Sequence, residues 1–80
     1  MEEREFLRFI GQNVKRLRLA KGVSQVKLAH ESDMEAPALS RLEAGRTNPT
    51  LLTMRKIAQA LEVPLEILIR LELGRDDRDI

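Results

Sequence analysis

The stretch SQVKLAHESDMEAPALSRLEAG, residues 24–45, reads as two short helices joined by a tight turn. Ser24 is a capping residue placed directly before the first helix, QVKLAHES, whose buried pair is Leu28 and Ala29. ESDME supplies the turn. In the second helix Ala38, Leu39 and Leu42 fall three and four apart and can be buried together. Ala36, Pro37, Ser40 and Arg41 are left facing outward, and Gly45 ends the helix. The outer face therefore consists of an alanine, a proline, a hydroxyl and one arginine.

Upstream, Leu7, Ile10, Val14 and Leu17 recur at helical spacing, behind Glu2, Glu3 and Glu5, which suit the positive end of a helix dipole. Gly22 stops this first helix one residue after Lys21. Downstream, RTNPT is a loop in which Thr50 caps a fourth helix, LLTMRKIAQALE, with Leu51, Met54, Ile57, Ala58 and Leu61 as its apolar set. Val63-Pro64 breaks the chain again, and Pro64 opens a fifth helix, PLEILIRLEL, that ends at Gly74. Five helices and no strand pattern predict an all-α fold, one domain over residues 1–74, with RDDRDI at 75–80 as a frayed tail.

Composition narrows the function classes. No cysteine is present, so disulfides and thiolate metal sites are excluded. No apolar run approaches the ~18 residues of a membrane-spanning helix. MEEREFLRF carries acids before its apolar residues, the wrong order for a secretory signal, which predicts a cytoplasmic protein. The net charge of +1 conceals an asymmetry. Between Glu5 and Glu31 there is no acid, while Arg8, Lys15, Arg16, Arg18, Lys21 and Lys27 are all basic. A basic segment on a nearly neutral chain points to a polyanion. An enzyme would need a convergent nucleophile, base and pocket, and the single His30 has no carboxylate or cysteine at ligand spacing. Neither a metal nor a cofactor is therefore expected. Stacking on single strands needs aromatics, and only Phe6 and Phe9 exist.

Spacing alone makes helices two and three a helix-turn-helix, an arrangement that also occurs as ordinary packing. The residue pattern is more specific. Arg18, Gly22, Ser24-Gln25, Leu28-Ala29, Ser40, Glu43, Gly45, Pro49 and Leu61 stand in a register that resembles the phage-repressor and Cro type of helix-turn-helix, the xenobiotic-response-element family. The resemblance runs from about residue 10 to 70. It implies a five-helix, lambda-repressor-like DNA-binding domain whose third helix lies in the major groove of double-stranded DNA. Ala36, Pro37, Ser40 and Arg41 are then the base-contacting positions. Ser24, Gln25, Arg46, Thr47 and Asn48 are the phosphate-contacting ones, Gln25 also supports the third helix, and Arg18 with Glu43 forms a partly buried ion pair.

Physical chemistry supports these roles separately. Arg41 can fork onto guanine O6 and N7, and Ala36 suits a thymine methyl. Pro37 is tolerated in a first helical turn. Gln25 and Asn48 sit near helix starts, where a phosphate is favoured. Three residues depart from the family pattern. Asp33 replaces the usual turn glycine but tolerates a left-handed backbone. Glu35 replaces a small cap, and would satisfy the helix N-terminus or accept from a cytosine amino group. Val26 is apolar where a polar residue is common.

The fifth helix carries Leu65, Ile67, Leu68, Ile69, Leu71 and Leu73, more apolar residues than one face can hold. The surplus predicts a homodimer interface through Leu65, Leu68 and Ile69, joined by the end of helix four and by Phe6 or Phe9. A two-fold dimer sets its recognition helices about 34 Å apart, on a pseudo-palindromic operator. The expectation is a dimeric transcriptional regulator, a repressor or autoregulator controlled by its own concentration. Stand-alone family members of this size include phage repressors, restriction–modification controller proteins and antitoxins. The rival reading is an antitoxin whose first partner is a protein toxin.

Overall fold

In the computed structural model, residues 1–71 are described, and they contain five helices and no strand. Helix α1 spans Glu3–Ala20, α2 Gln25–Glu31, α3 Ala36–Glu43, α4 Leu51–Leu61 and α5 Leu65–Leu68. Local chemistry accounts for most boundaries. The Glu2 carboxylate accepts from the Arg4 and Glu5 amides at the start of α1, Ser24 Oγ from Lys27, and Thr50 Oγ1 from Thr53. Gly22 and Gly45 take the left-handed backbone that ends α1 and α3. Asp33 does the same in the turn between α2 and α3, at φ 58°, as its short polar side chain permits.

The core is built from all five helices. Ile10 and Val14 of α1 meet Leu28 and Ala29 of α2, Leu39 and Leu42 of α3, Met54, Ile57, Ala58 and Leu61 of α4, and Leu68 of α5. A buried asparagine closes the far end. Asn13 Nδ2 donates to the Leu68 carbonyl at 2.9 Å and to the Arg70 carbonyl at 2.7 Å, so a side chain of α1 satisfies carbonyls that four-residue α5 cannot.

Four expectations are corrected. Helix α5 ends at Leu68, and Pro64 is its N-cap instead of its first helical residue. Leu68 is 0% exposed, a core residue and not part of an outer face, because Asn13 draws the end of α5 inward. Leu65 is half-buried against the same core, which leaves Ile69 as the exposed member of the proposed interface trio. Leu51, expected inside, is 70% exposed, since the face of α4 that reaches the core is set by Met54, Ile57, Ala58 and Leu61. Leu73, Gly74 and the tail at 75–80 lie outside the described residues. No helix is long and apolar enough to cross a membrane, among the described residues.

Candidate nucleic-acid interface

The geometry of the helix-turn-helix depends on one buried ion pair. Arg18, on the last turn of α1, donates from Nε to Glu43 Oε2 at 2.7 Å and from Nη2 to Glu43 Oε1 at 3.1 Å. Its remaining nitrogen, Nη1, donates to the Val23 carbonyl at 2.9 Å. Gln25 Nε2, at the start of α2, donates to Glu43 Oε1 at 2.9 Å. One carboxylate at the end of α3 thus gathers the end of α1 and the start of α2. A two-pronged, charge-assisted contact of this kind fixes orientation as well as distance. The pairing expected of Arg18 and Glu43 is present, and Gln25 braces α3 directly.

Two glycines bring α1 and α3 closer than any other residue would allow. A Cβ placed on Gly11 would stand 2.5 Å from the carbonyl oxygens of Leu42 and Glu43. A Cβ on Gly45 would stand 2.7 Å from Arg8 Cα, at a backbone φ of +76°. Helix α1 therefore abuts the C-terminal half of α3 and the loop after it. Neither Gly11 nor Asn13 stood out in the sequence reading, though both were visible there. Gly11 is an unbroken helix's interior glycine, and Asn13 is a polar residue on the stripe of Ile10, Val14 and Leu17.

With its inner face held, α3 turns Pro37, Ser40 and Arg41 to solvent. Arg41 has no ion-pair or hydrogen-bond partner for its guanidinium among the described residues. Ala36 is half-buried and packs against the core, so it is less outward than its spacing implied. Glu35 precedes α3 without capping it, because its side chain makes no hydrogen bond to the helix start. The first-turn amides of α3 are left without a side-chain acceptor.

The expected phosphate-contacting residues border this face unevenly. Ser24 Oγ is occupied by the Lys27 amide at 3.0 Å. Arg46 and Asn48 are exposed in the α3–α4 loop, and Thr47 is half-buried between them. The Arg46 amide donates to the Arg41 carbonyl at 2.9 Å, so the loop leaves α3 in a fixed direction.

Beside the loop lies an apolar groove of about 250 Å³, lined by Phe6, Leu7, Ile10, Asn48, Pro49, Leu51, Met54 and Ile69. Phe6 joins it from α1 and Leu51 from the start of α4. Among the described residues, no group of three His, Asp or Glu side chains stands together to hold a metal ion.

Comparison with known proteins agrees with this architecture. Residues 14–68 match the model of the helix-turn-helix family. The chain is 43% identical over 56 residues to an uncharacterized HTH-type transcriptional regulator, y4dJ, of Sinorhizobium fredii, covering 70% of this chain and 73% of that one. It is 42% identical over 60 residues to the control protein C.BamHI of Bacillus amyloliquefaciens, covering 72% and 74%. The restriction-modification controller protein C.AhdI from Aeromonas hydrophila superposes with a TM-score of 0.76 at 35% identity, over 78% of this chain and 94% of that one. These relatives are regulators by name, in keeping with the expectation that the chain is not an enzyme.

Proposed function

The chain belongs to the helix-turn-helix family of transcriptional regulators, and from that premise we propose that it binds double-stranded DNA at a specific operator as a homodimer. The observation that carries this reading is α3 itself. Its inner face is locked by Leu39, Leu42 and the Arg18–Glu43–Gln25 network, while Arg41, Ser40 and Pro37 stand exposed and Arg41 is unpaired among the described residues. An unpaired guanidinium on a rigid helix is prepared for a two-pronged contact to guanine, worth about 1–3 kcal/mol against a wrong base. Arg46, Thr47, Asn48 and Gln25 would set the register on phosphates without reading sequence. Ser24 would serve the DNA indirectly, by holding the start of α2.

An eight-residue α3 is about 12 Å long and spans few base pairs. Two copies, about 34 Å apart on adjacent turns, would read enough sequence to define a site. The groove between α1 and α4 is the surface we assign to the second copy. Phe6, Leu51 and Ile69 expose apolar area there, next to the loop that borders α3. In this reading the protein is a repressor or autoregulator acting in the cytoplasm. The likeness to C.BamHI and C.AhdI favours a restriction–modification controller role among the regulators it resembles.

Selection from a random double-stranded library at about physiological salt tests the proposal, since nonspecific phosphate binding fades there. Recovery of an inverted repeat with half-sites one helical turn apart is expected. An unenriched pool would overturn specific DNA binding and turn attention to the antitoxin reading.

A further inference from the structure

A second basic feature stands apart from α3. A cavity of about 550 Å³ is lined by Glu3, Arg4, Leu7 and Arg8 of α1 and by Ala44, Gly45 and Arg46 after α3. The two segments are held together backbone to backbone, because Gly45 leaves no room for a Cβ against Arg8. Three guanidiniums from distant parts of the sequence therefore converge. None has an ion-pair or hydrogen-bond partner for its side chain among the described residues. Glu3 is the one carboxylate in the lining, so the cavity carries a net charge of +2. Arg4 and Arg8 stand four residues apart on one face of α1, where like charges disfavour the helix. Lys21, Lys27 and Lys56, by contrast, each lie within ion-pair distance of an acid.

We propose that Arg4, Arg8 and Arg46 form an anion site that holds backbone phosphates of the bound duplex, carrying the DNA footprint from the α3–α4 loop onto the first two turns of α1. This rests on the DNA-binding reading above. Guanidinium groups suit phosphates through their forked donors. Three of them around an open hollow suit successive phosphates along a strand better than one enclosed ion. Arg4 and Arg8 lie one helical turn, about 6 Å, apart along α1. Contacts of this type add affinity and fix register without adding base preference.

The test compares wild type with Arg4→Gln/Arg8→Gln on the duplex recovered by selection, across about 50–200 mM salt. Each lost phosphate contact should flatten the slope of log K against log salt by about 0.9, so the double variant, which loses two contacts per protomer and four per dimer, should lose about 3.6. The ranking of half-site sequences should not change. A Lys21→Gln/Lys56→Gln control removes the same net charge elsewhere and should keep the wild-type slope. Both altered arginines are exposed, and a thermal melt will verify that the variant folds. Phosphate ethylation should interfere with wild-type binding at positions to which the double variant is indifferent. An unchanged slope in the double variant, or an equal loss in the control, would overturn the site while leaving specific DNA binding intact. A wild-type chain that binds no duplex would overturn both.

Discussion

The Arg18–Glu43 pair permits a sharp test of what holds α3 in place. Its side chains are 8% and 3% exposed, and its two nitrogen–oxygen contacts are 2.7 and 3.1 Å. Removing one partner of such a pair strands the other charge in the interior, at a cost of about 3–5 kcal/mol. An eighty-residue domain has a total stability of about 4–12 kcal/mol at typical per-residue values. Arg18→Met and Glu43→Leu should each therefore lower the urea midpoint severely, to the edge of unfolding. The double variant removes both charges. It keeps only the penalties of the Val23 carbonyl and the Gln25 amide losing their partners, each at or below the low end of about 1–3 kcal/mol because both bonds are only partly buried. The double variant should consequently be more stable than either single one, with a coupling of several kcal/mol in the cycle. Equilibrium urea denaturation of the four proteins, followed by circular dichroism, measures this directly. Additive losses would refute the reasoning, because they would mean the two groups do not compensate each other's burial.

Other outcomes follow from single side chains. Arg41→Ala should leave the melting temperature unchanged and flatten base preference at one operator position by about 1–3 kcal/mol, read from binding to a panel of point-substituted duplexes. Ser32 is buried with its hydroxyl unpaired among the described residues, so Ser32→Ala should raise stability by about 1 kcal/mol in urea with an unchanged m-value. Ile69→Asp should weaken self-association more than tenfold, about 1.4 kcal/mol, in analytical ultracentrifugation while the helical spectrum is kept. Dimers that persist in that variant would exclude the groove as the interface. Leu68→Asp, by contrast, should unfold the chain, since it introduces a charge at a site with no solvent access.

The helix-turn-helix was legible because its signals are local. Ser24 and Thr50 cap the helices they precede, Gly22 and Gly45 end the helices before them, and Leu39 with Leu42 marks the inner face of α3. The C-terminal end was not, because LEILIRL is apolar almost throughout and carries no period that separates Leu68 from Ile69. What separates them is Asn13, more than fifty residues away, whose amide fixes which carbonyls turn inward. Leu51 failed for a related reason, since it stands at the edge of α4's apolar stripe, where only the packing of neighbouring helices decides exposure. Arg18 and Glu43 were legible as a pair through family resemblance. The support that Gln25 gives α3 was legible through the same resemblance, whereas the convergence of Arg4 and Arg8 on Arg46 follows from how closely α1 approaches α3 at Gly11 and Gly45.

The Asn13 clamp also bears on the order in which the molecule opens. A small helical domain is rich in near-neighbour interactions and folds quickly, and the Asn13 bonds, spanning 55 and 57 residues, are its longest-range side-chain hydrogen bonds among the described residues. The segment they hold contains one turn of helix and a single fully buried side chain, Leu68, so it has little else to keep it seated. Amide hydrogens there should exchange with solvent ahead of those in α2 and α3, and hydrogen exchange measures the order. Ile69 lies in that segment and in the groove assigned to the second copy, so each opening event removes Ile69 from the contact surface. Self-association through the proposed groove and local unfolding would then compete for the same residue, and a dimer would protect its own C-terminal segment by mass action. Abundance would set the lifetime of the fold as well as the occupancy of the operator.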